Sequence, residues 1–486
     1  MDKFLAIDQG TTSSRAIIFN SDLENVKQSQ KEYNLSYPND GWVEADADEI
    51  LRTVKETVED VLSETSDNIT ACGLTNQRET TIVWSKETGA PIYPAIIWQD
   101  RRTSDLCNAL KRDGHEAMVQ EKTGLVIDSY FSATKLKWIL DNVPNAREQA
   151  VSGKLLFGTV DSFLIYNLTS ERNHLTDVTN ASRTMLFNIH EMSWDKELLK
   201  LFDIPLSMMP EVKSCDGDFG SLNINGKTIK INGVIGDQQA ALVGQNCFNS
   251  GDMKSTYGTG CFLMVNTKGK PLKVEEGLLT TVAYKLNNEV NYALEGSIYS
   301  CGNIIQWLRD KMQFFENAKD SELLLDSKGN SNNVHFLPAF NGLGAPYWNS
   351  DVRAGFYGMT QNTSKKDLVT AAFKSICYQT KDIISILKIN ELEINSLLVD
   401  GGMTSNSTFC QILSDSINVN VLKPSNIEST ALGACIAAQI GNGISMDSLN
   451  TKLDKEFIPN NEIVNLANDD YLKWKEYIEL SITNPT

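Results

Sequence analysis

The sequence predicts an α/β fold in two domains, with a functional site in the cleft between them. Three observations carry that expectation. Strand-like apolar runs alternate with amphipathic helical stretches along most of the chain. Two aspartates, Asp8 within Ala6–Arg15 and Asp237 within Gly236–Ala241, each stand where an apolar run gives way to a turn. The 486 residues suffice for at least two domains and a large core.

The elements follow in order. Phe4–Asp8 reads as a strand, then comes a Gly/Thr/Ser turn and a second strand over Ala16–Phe19. Ile50, Leu51, Val54, Val58, Val61 and Leu62 fall on one face of a helix, which Asp46 or Asp48 can cap. Ala71–Thr75 is a strand running into Asn76-Gln77-Arg78-Glu79, Thr80–Trp84 is another, and Lys86–Gly89 is a turn. The rest of the first half mixes helices with β-rich segments around 155–190. The second half begins near residue 246. There Ser255–Leu263 again reads strand, Gly/Thr turn, strand, an echo that points to a duplicated architecture. Ser364 and Asp367 have the spacing of a capping box at a helix start. Leu397–Asp400 is an apolar strand ending in Gly401-Gly402, and helices follow from Asn406 and over Ser429–Ile440.

Composition excludes several classes. A formal net charge of −18 repels nucleic acid and anionic membranes while permitting a locally basic pocket. No apolar run is long enough to span a bilayer. Met1-Asp2-Lys3-Phe4 enters an apolar strand directly, without the basic segment and long apolar stretch of a signal peptide. The nine cysteines are scattered, odd in number and without a Cys-x-x-Cys pair, and histidines number only four. Reduced thiols in a cytoplasmic protein are therefore expected, with neither a disulfide framework nor a zinc site.

The candidate chemistry lies at the turns. The turn at 8–15 offers backbone N–H groups and hydroxyls that can wrap a phosphate chain, beside an aspartate that can hold Mg²⁺. It is not a Walker A loop, because it joins strand to strand and lacks Gly-Lys-Ser/Thr. Gly226-Lys227-Thr228 is a decoy, since the first glycine of that pattern is absent. An ordinary hairpin turn is the alternative for 8–15. Arg78 brings a fork of donors and Glu79 a pair of acceptors, which suits a polyhydroxylated ligand. An exposed ion pair is the commoner fate of such a dipeptide. Asp237, with Gln238 beside it, can accept a proton from an attacking hydroxyl or simply cap a helix. The glycines of Gly401–Asn406 let a ring or phosphate approach the backbone, or merely make a strand–helix turn. Trp98, Tyr130 and Phe262 can wall a carbon skeleton or pack in the core.

Taken together and in order, these segments resemble the FGGY carbohydrate kinase family of the actin-like ATPase superfamily, and within it the branch that phosphorylates glycerol. The resemblance is carried by DQGTTSSRAIIF from Asp8, GLTNQRETTIVW from Gly73, GLVIDSYFSATKLKWIL from Gly124 and GTVDSFLIYNLT from Gly158. It continues through TDVTNASRTMLFNIH from Thr176, GDQQAALVGQ from Gly236, TYGTGCF from Thr256, NYALEGSIYSCG from Asn291, GLGAPYW from Gly342 and VDGGMTSN from Val399. The run Asn76–Trp84 is specific for the glycerol-phosphorylating branch.

The resemblance implies two actin-like (ribonuclease H-like) domains with mixed sheets flanked by helices and the active site in the interdomain cleft. Residues 1–245 would form the polyol-binding half with the phosphate turn, and 246–486 the nucleotide-binding half. It implies transfer of phosphate from ATP to glycerol, with sn-glycerol 3-phosphate and ADP as products. By that match Arg78, Glu79, Tyr130, Asp237 and Gln238 hold the glycerol hydroxyls, with Trp98 and Phe262 against the carbon backbone. Asp237 would be the base and Asp8 the Mg²⁺-associated carboxylate. Thr11, Thr12, Ser13, Arg15 and Thr259 would contact phosphates, and Gly302, Gln306, Gly402 and Asn406 the nucleoside. A homodimer or homotetramer is implied. The chain departs from relatives under allosteric control: Asn223–Lys230 is short and has no arginine for a sugar bisphosphate, and no histidine lies between His190 and His335. Ser300-Cys301 stand where a small apolar pair is usual before Gly302.

Overall fold

In the computed structural model, which describes residues 2–63, 68–224, 226–274, 277–340, 342–349, 351–426, 428–446 and 452–484, two sheets repeat one topology. Met1, within Met1–Phe4, and Asn225, within Asn223–Lys230, lie outside the described residues. The first sheet is built from β1 (Lys3–Gln9), β2 (Ser13–Asn20) and β3 (Asn25–Glu32), then, after the helix α1 (Ala47–Ser63), from β4 (Ile69–Asn76), β5 (Ser221–Ile224) and β6 (Lys227–Gly236). Their order across the sheet is β5-β6-β4-β1-β2-β3. The hairpin strands β1, β2 and β3 pair antiparallel, while β4 and β6 join parallel to β1 and to each other. Strand β1 is apolar throughout Phe4–Ile7 because, at the sheet's centre, it is covered on both faces. Helix α1 buries Ile50, Val54, Val58, Val61 and Leu62 against it, and Asp46, not Asp48, caps the helix by accepting from the Asp48 N–H at 2.9 Å. After β6 comes α2 (Asp237–Gly244).

The second half runs through β7 (Met253–Tyr257), β8 (Cys261–Lys268), β9 (Leu279–Leu286), β10 (Glu289–Ile298) and α3 (Gly302–Asp310). It continues with α4 (Lys365–Ile389), β11 (Ser396–Asp400), α5 (Ser407–Ile417), β12 (Asn420–Pro424), α6 (Ser429–Gly441), β13 (Leu453–Phe457) and α7 (Asn461–Thr483). Its order, β9-β10-β8-β7-β11-β12-β13, contains the same antiparallel hairpin followed by two parallel strands. The echo at Ser255–Leu263 is therefore the first hairpin of a second copy. Ser364 and Asp367 do close a capping box at the start of α4.

In each copy a helix follows the last parallel strand, and these two helices, α2 and α6, pack against each other. A Cβ placed on Gly433 of α6 would stand 1.8 Å from the Ala240 carbonyl oxygen of α2, so only glycine permits this approach. Helix α6 also lies on β1, β4 and β6, and one apolar cluster, with Phe4, Ala240, Met264, Val282 and Ala434, is shared by both halves. Between β4 and β5 the first half carries an insertion. Its 155–190 stretch is less strand-rich than expected: the helices Val160–Leu168 and Val178–Ala181 alternate with strands of two to four residues. The apolar run Phe163–Tyr166, read from periodicity alone, does not distinguish a buried helix from a buried strand. Gly226-Lys227-Thr228 falls in the β5–β6 hairpin, as its lack of a P-loop pattern implies. Among the described residues no helix is long and apolar enough to cross a membrane.

Candidate active site

The β1–β2 register sets Asp8 opposite Arg15 and Gln9 opposite Ser14, leaving Gly10–Thr12 as the turn between them. The turn is pinned from inside. The Gly10 carbonyl accepts from Tyr33 Oη at 2.6 Å and from Gln77 Nε2 at 3.2 Å, and the Thr12 carbonyl accepts from the Tyr33 N–H at 3.1 Å. The Thr11 hydroxyl accepts from Trp98 Nε1 at 3.0 Å, which ties the turn to the aromatic wall. Burial, reinforced by the charges of Asp237 and Glu428 and opposed by Arg15, pushes the Asp8 carboxyl up to about 7. Arg15 reaches across to Glu428, at the start of α6, and to Gln30 at 3.2 Å.

Strand β4 delivers Gln77, Arg78 and Glu79 at its end. Gln77 N–H is anchored on the Gln9 carbonyl at 2.7 Å, and Glu79 adopts a left-handed φ of 61°, uncommon for a residue other than glycine. Arg78 and Glu79 are not an exposed pair: each side chain is only 2% accessible. Arg78 Nε faces Asp237 at 3.3 Å, while its Nη1 donates to Glu295 Oε2 at 2.7 Å and to Gln239 Oε1 at 3.1 Å. Glu79 Oε1 accepts from Arg183 Nε at 2.6 Å, and Arg183 Nη2 donates to Glu295 Oε1 at 2.8 Å. Burial raises the Glu79 carboxyl. Burial also opposes ionisation of Glu295, but the Arg183 and Arg78 guanidiniums outweigh it and hold that carboxyl at about 2.

Asp237 is the first residue of α2, and Gly236 occupies the cap position, so the helix-cap reading of Asp237 does not hold. Its Oδ1 accepts from the Gln238 N–H at 2.7 Å, and burial raises its pKa against the pull of Arg78 and Lys254. Trp98 stands edge-on to Tyr130 and Phe262, with ring centroids 5.8 and 6.0 Å apart, so residues from both halves form one aromatic corner.

A cavity of about 570 Å³ in the second half collects Thr259, Gly302, Gln306, Gly402 and Asn406, from three segments widely separated in sequence. The Gly302 N–H donates to the Gly258 carbonyl at 2.9 Å, and a Cβ at Gly302 would meet that oxygen at 2.5 Å. Asn406 caps α5 by accepting from the Phe409 N–H at 2.9 Å. Cys301, one of the departures from the family pattern, is fully buried against Met403 Sδ at 3.3 Å. Thr12 and Ser13 lie outside this cavity, on the β1–β2 hairpin.

Sequence reasoning missed Arg183, Glu295 and Lys254. The first two sit inside quoted segments, but nothing in the chain announces that Glu295 pairs with Arg183 across 112 positions and with Arg78 across 217. Ile305, Arg309 and Phe373, which line the cavity, carried no local signal either. Among the described residues no group of three or more His, Cys, Asp or Glu side chains could hold a metal ion. Mg²⁺ does not need such a group, since it keeps most of its waters and takes only one or two protein carboxylates besides phosphate oxygens. Asp8 lies near enough to Asp237 for the Asp237 charge to raise its carboxyl, and the two are candidate oxygen donors.

Two family models match the chain. Residues 3–244 match the N-terminal domain of the FGGY family of carbohydrate kinases, and residues 253–441 match its C-terminal domain. The chain is 51% identical over 467 residues to a glycerol kinase of Marinomonas sp. (strain MWYL1), covering 94% of each chain. It is 48% identical over 486 residues to a glycerol kinase of Shigella dysenteriae serotype 1, covering 98% of this chain and 97% of the relative. The crystal structure of Plasmodium falciparum glycerol kinase with ADP superposes with a TM-score of 0.92 at 36% identity, covering 98% of each chain. A ligand-bound xylulose kinase from Lactobacillus acidophilus shares the fold, with a TM-score of 0.88 at 20% identity, covering 100% of this chain and 99% of that one.

Proposed function

The chain belongs to the FGGY family of carbohydrate kinases, and from that premise we propose that it transfers the γ-phosphoryl group of ATP to glycerol, releasing ADP and sn-glycerol 3-phosphate. The observation that carries this reading is the meeting of the buried Arg78, Glu79 and Gln238 with the partly exposed Asp237 carboxylate beside the Trp98–Phe262 corner. A triol needs both donors and acceptors at fixed positions and an apolar face for its carbons. Arg78, Gln238 and Tyr130 supply donors, Glu79 and Asp237 acceptors, and Trp98 and Phe262 the face.

Asp237 acts as general base. Its raised pKa makes it a better proton acceptor than a solvated aspartate, and the Arg78 Nε edge steadies it once ionised. The hydroxyl oxygen attacks phosphorus, the bond from the γ-phosphorus to its bridging oxygen breaks, and the hydroxyl proton passes to Asp237. Thr11, Thr12, Ser13, Arg15 and Thr259 hold the phosphates, and Gly302, Gln306, Gly402 and Asn406 line the nucleoside side. Asp8 would hold Mg²⁺, which when bound neutralises charge on the phosphate chain. Residues 1–245 and 246–486 act as the two bodies that close over the substrates, shutting out water that would otherwise take the phosphoryl group. The nine cysteines, all unpaired and buried, support a cytoplasmic setting.

The test is product analysis by ³¹P NMR with Mg²⁺-ATP and glycerol. A single primary phosphomonoester in step with ADP is expected. Inorganic phosphate as the sole product would overturn the reading.

A further inference from the structure

We propose that Glu295 and Lys254, both carried by the second half, are positioning residues that lock the polyol-binding side chains of the first half into their working orientations. The inference rests on glycerol being the acceptor.

Glu295 stands within β10 and is fully buried. It grips Arg78 with both oxygens, Oε2 to Nη1 at 2.7 Å and Oε1 to Nη2 at 3.3 Å. Oε1 also accepts from Arg183 Nη2 at 2.8 Å and from the Ser297 hydroxyl at 3.2 Å. Arg183 in turn holds Glu79. One carboxylate thus fixes Arg78 directly and Glu79 at one remove. The grip also decides what Arg78 can do to Asp237. A free guanidinium offers a carboxylate its bidentate fork, which would engage both oxygens of the base. With the two Nη groups spent on Glu295, Gln239 and Tyr130, only the Nε edge remains for Asp237.

Lys254 stands within β7 and is also fully buried. Its ammonium donates to Gln238 Oε1 at 2.5 Å and to Thr256 Oγ1 at 3.0 Å. An ammonium has no lone pair, so Gln238 must turn its oxygen toward Lys254, which leaves its NH₂ as a donor on the side of the Asp237 carboxylate and the ligand. Lys254 therefore makes Gln238 a donor. The same strand ends at Tyr257, directly before the Gly258-Thr259 rim of the nucleotide cavity. The two half-sites are thereby joined through one rigid strand.

The experiment measures glycerol KM and kcat for the wild type, Glu295→Gln and Lys254→Met, with ADP affinity by equilibrium dialysis. Glycerol-dependent ADP release by the wild type tests the functional reading first, and its absence would remove that reading itself. With it in hand, each variant is expected to raise glycerol KM by about tenfold or more, the cost of one misplaced buried polar partner, with ADP affinity within about twofold. Should Glu295→Gln fail to fold, Ser297→Ala removes one hydrogen bond from the same carboxylate, and a rise in glycerol KM alone is expected. Wild-type glycerol KM in the folded variants, or parallel losses of glycerol and ADP affinity, would overturn the inference.

Discussion

Asp237 shows how far a single residue can be read. From its own segment a helix cap is the safer reading, and the resemblance makes it the base. The structure makes Gly236 the cap and leaves the Asp237 carboxyl facing Arg78. Asp237→Asn keeps the shape but cannot take a proton. We expect kcat to fall by about 10²–10⁴-fold with glycerol binding retained, measured by steady-state kinetics and calorimetry. Phe262→Ala opens the aromatic corner and is expected to raise glycerol KM by about tenfold with ADP affinity unchanged. Residues at strand ends were legible because Gly, Asp and Thr clusters punctuate the chain locally. Arg183, Glu295 and Lys254 were not. Each sits in an ordinary-looking segment, and its meaning exists only once β4, β7, β10 and the 178–183 segment meet.

At the scale of elements, the hairpin turns and α1 followed from alternation, periodicity and capping residues. The 155–190 stretch did not, because short apolar runs in an insertion carry no period long enough to separate helix from strand. The α2–α6 contact was foreshadowed only by the small residues of Ser429–Ile440. Gly433→Ala forces those helices apart. It is expected to lower stability by about 1–3 kcal/mol in denaturant titration and to lower kcat as well, since α2 carries Asp237. His174 gives a pH test within the insertion. Burial pushes it down to about 4, although its Nε2 contacts the Phe157 carbonyl at 2.8 Å. The unfolded chain takes up that proton near its ordinary value of about 6.5 and the native one does not. Stability should therefore fall as pH drops from about 6.5 to 4, and thermal melts of His174→Gln should show a shallower decline over that window.

The whole molecule is a duplicated α/β unit whose two copies share a core through α2 and α6. Duplication was visible as one faint echo, whereas the two-sheet topology needed the long-range pairing of β1 with β4 and β7 with β11. Because the proposed polyol site takes Arg78, Glu79 and Asp237 from the first half and Phe262 from the second, while the cavity at Thr259 and Gly302 lies in the second, closure should follow joint occupancy. Small-angle scattering is expected to show a smaller radius of gyration with glycerol plus a non-hydrolysable ATP analogue than with neither, and an unchanged radius would contradict closure. The most direct test of the central claim is ADP release with Mg²⁺-ATP across glycerol, dihydroxyacetone, xylulose, gluconate and no acceptor. The arrangement of Arg78, Glu79, Trp98 and Phe262 predicts the highest kcat/KM for glycerol, far above the blank. A higher value for a sugar or sugar acid, or hydrolysis indifferent to any acceptor, would contradict it.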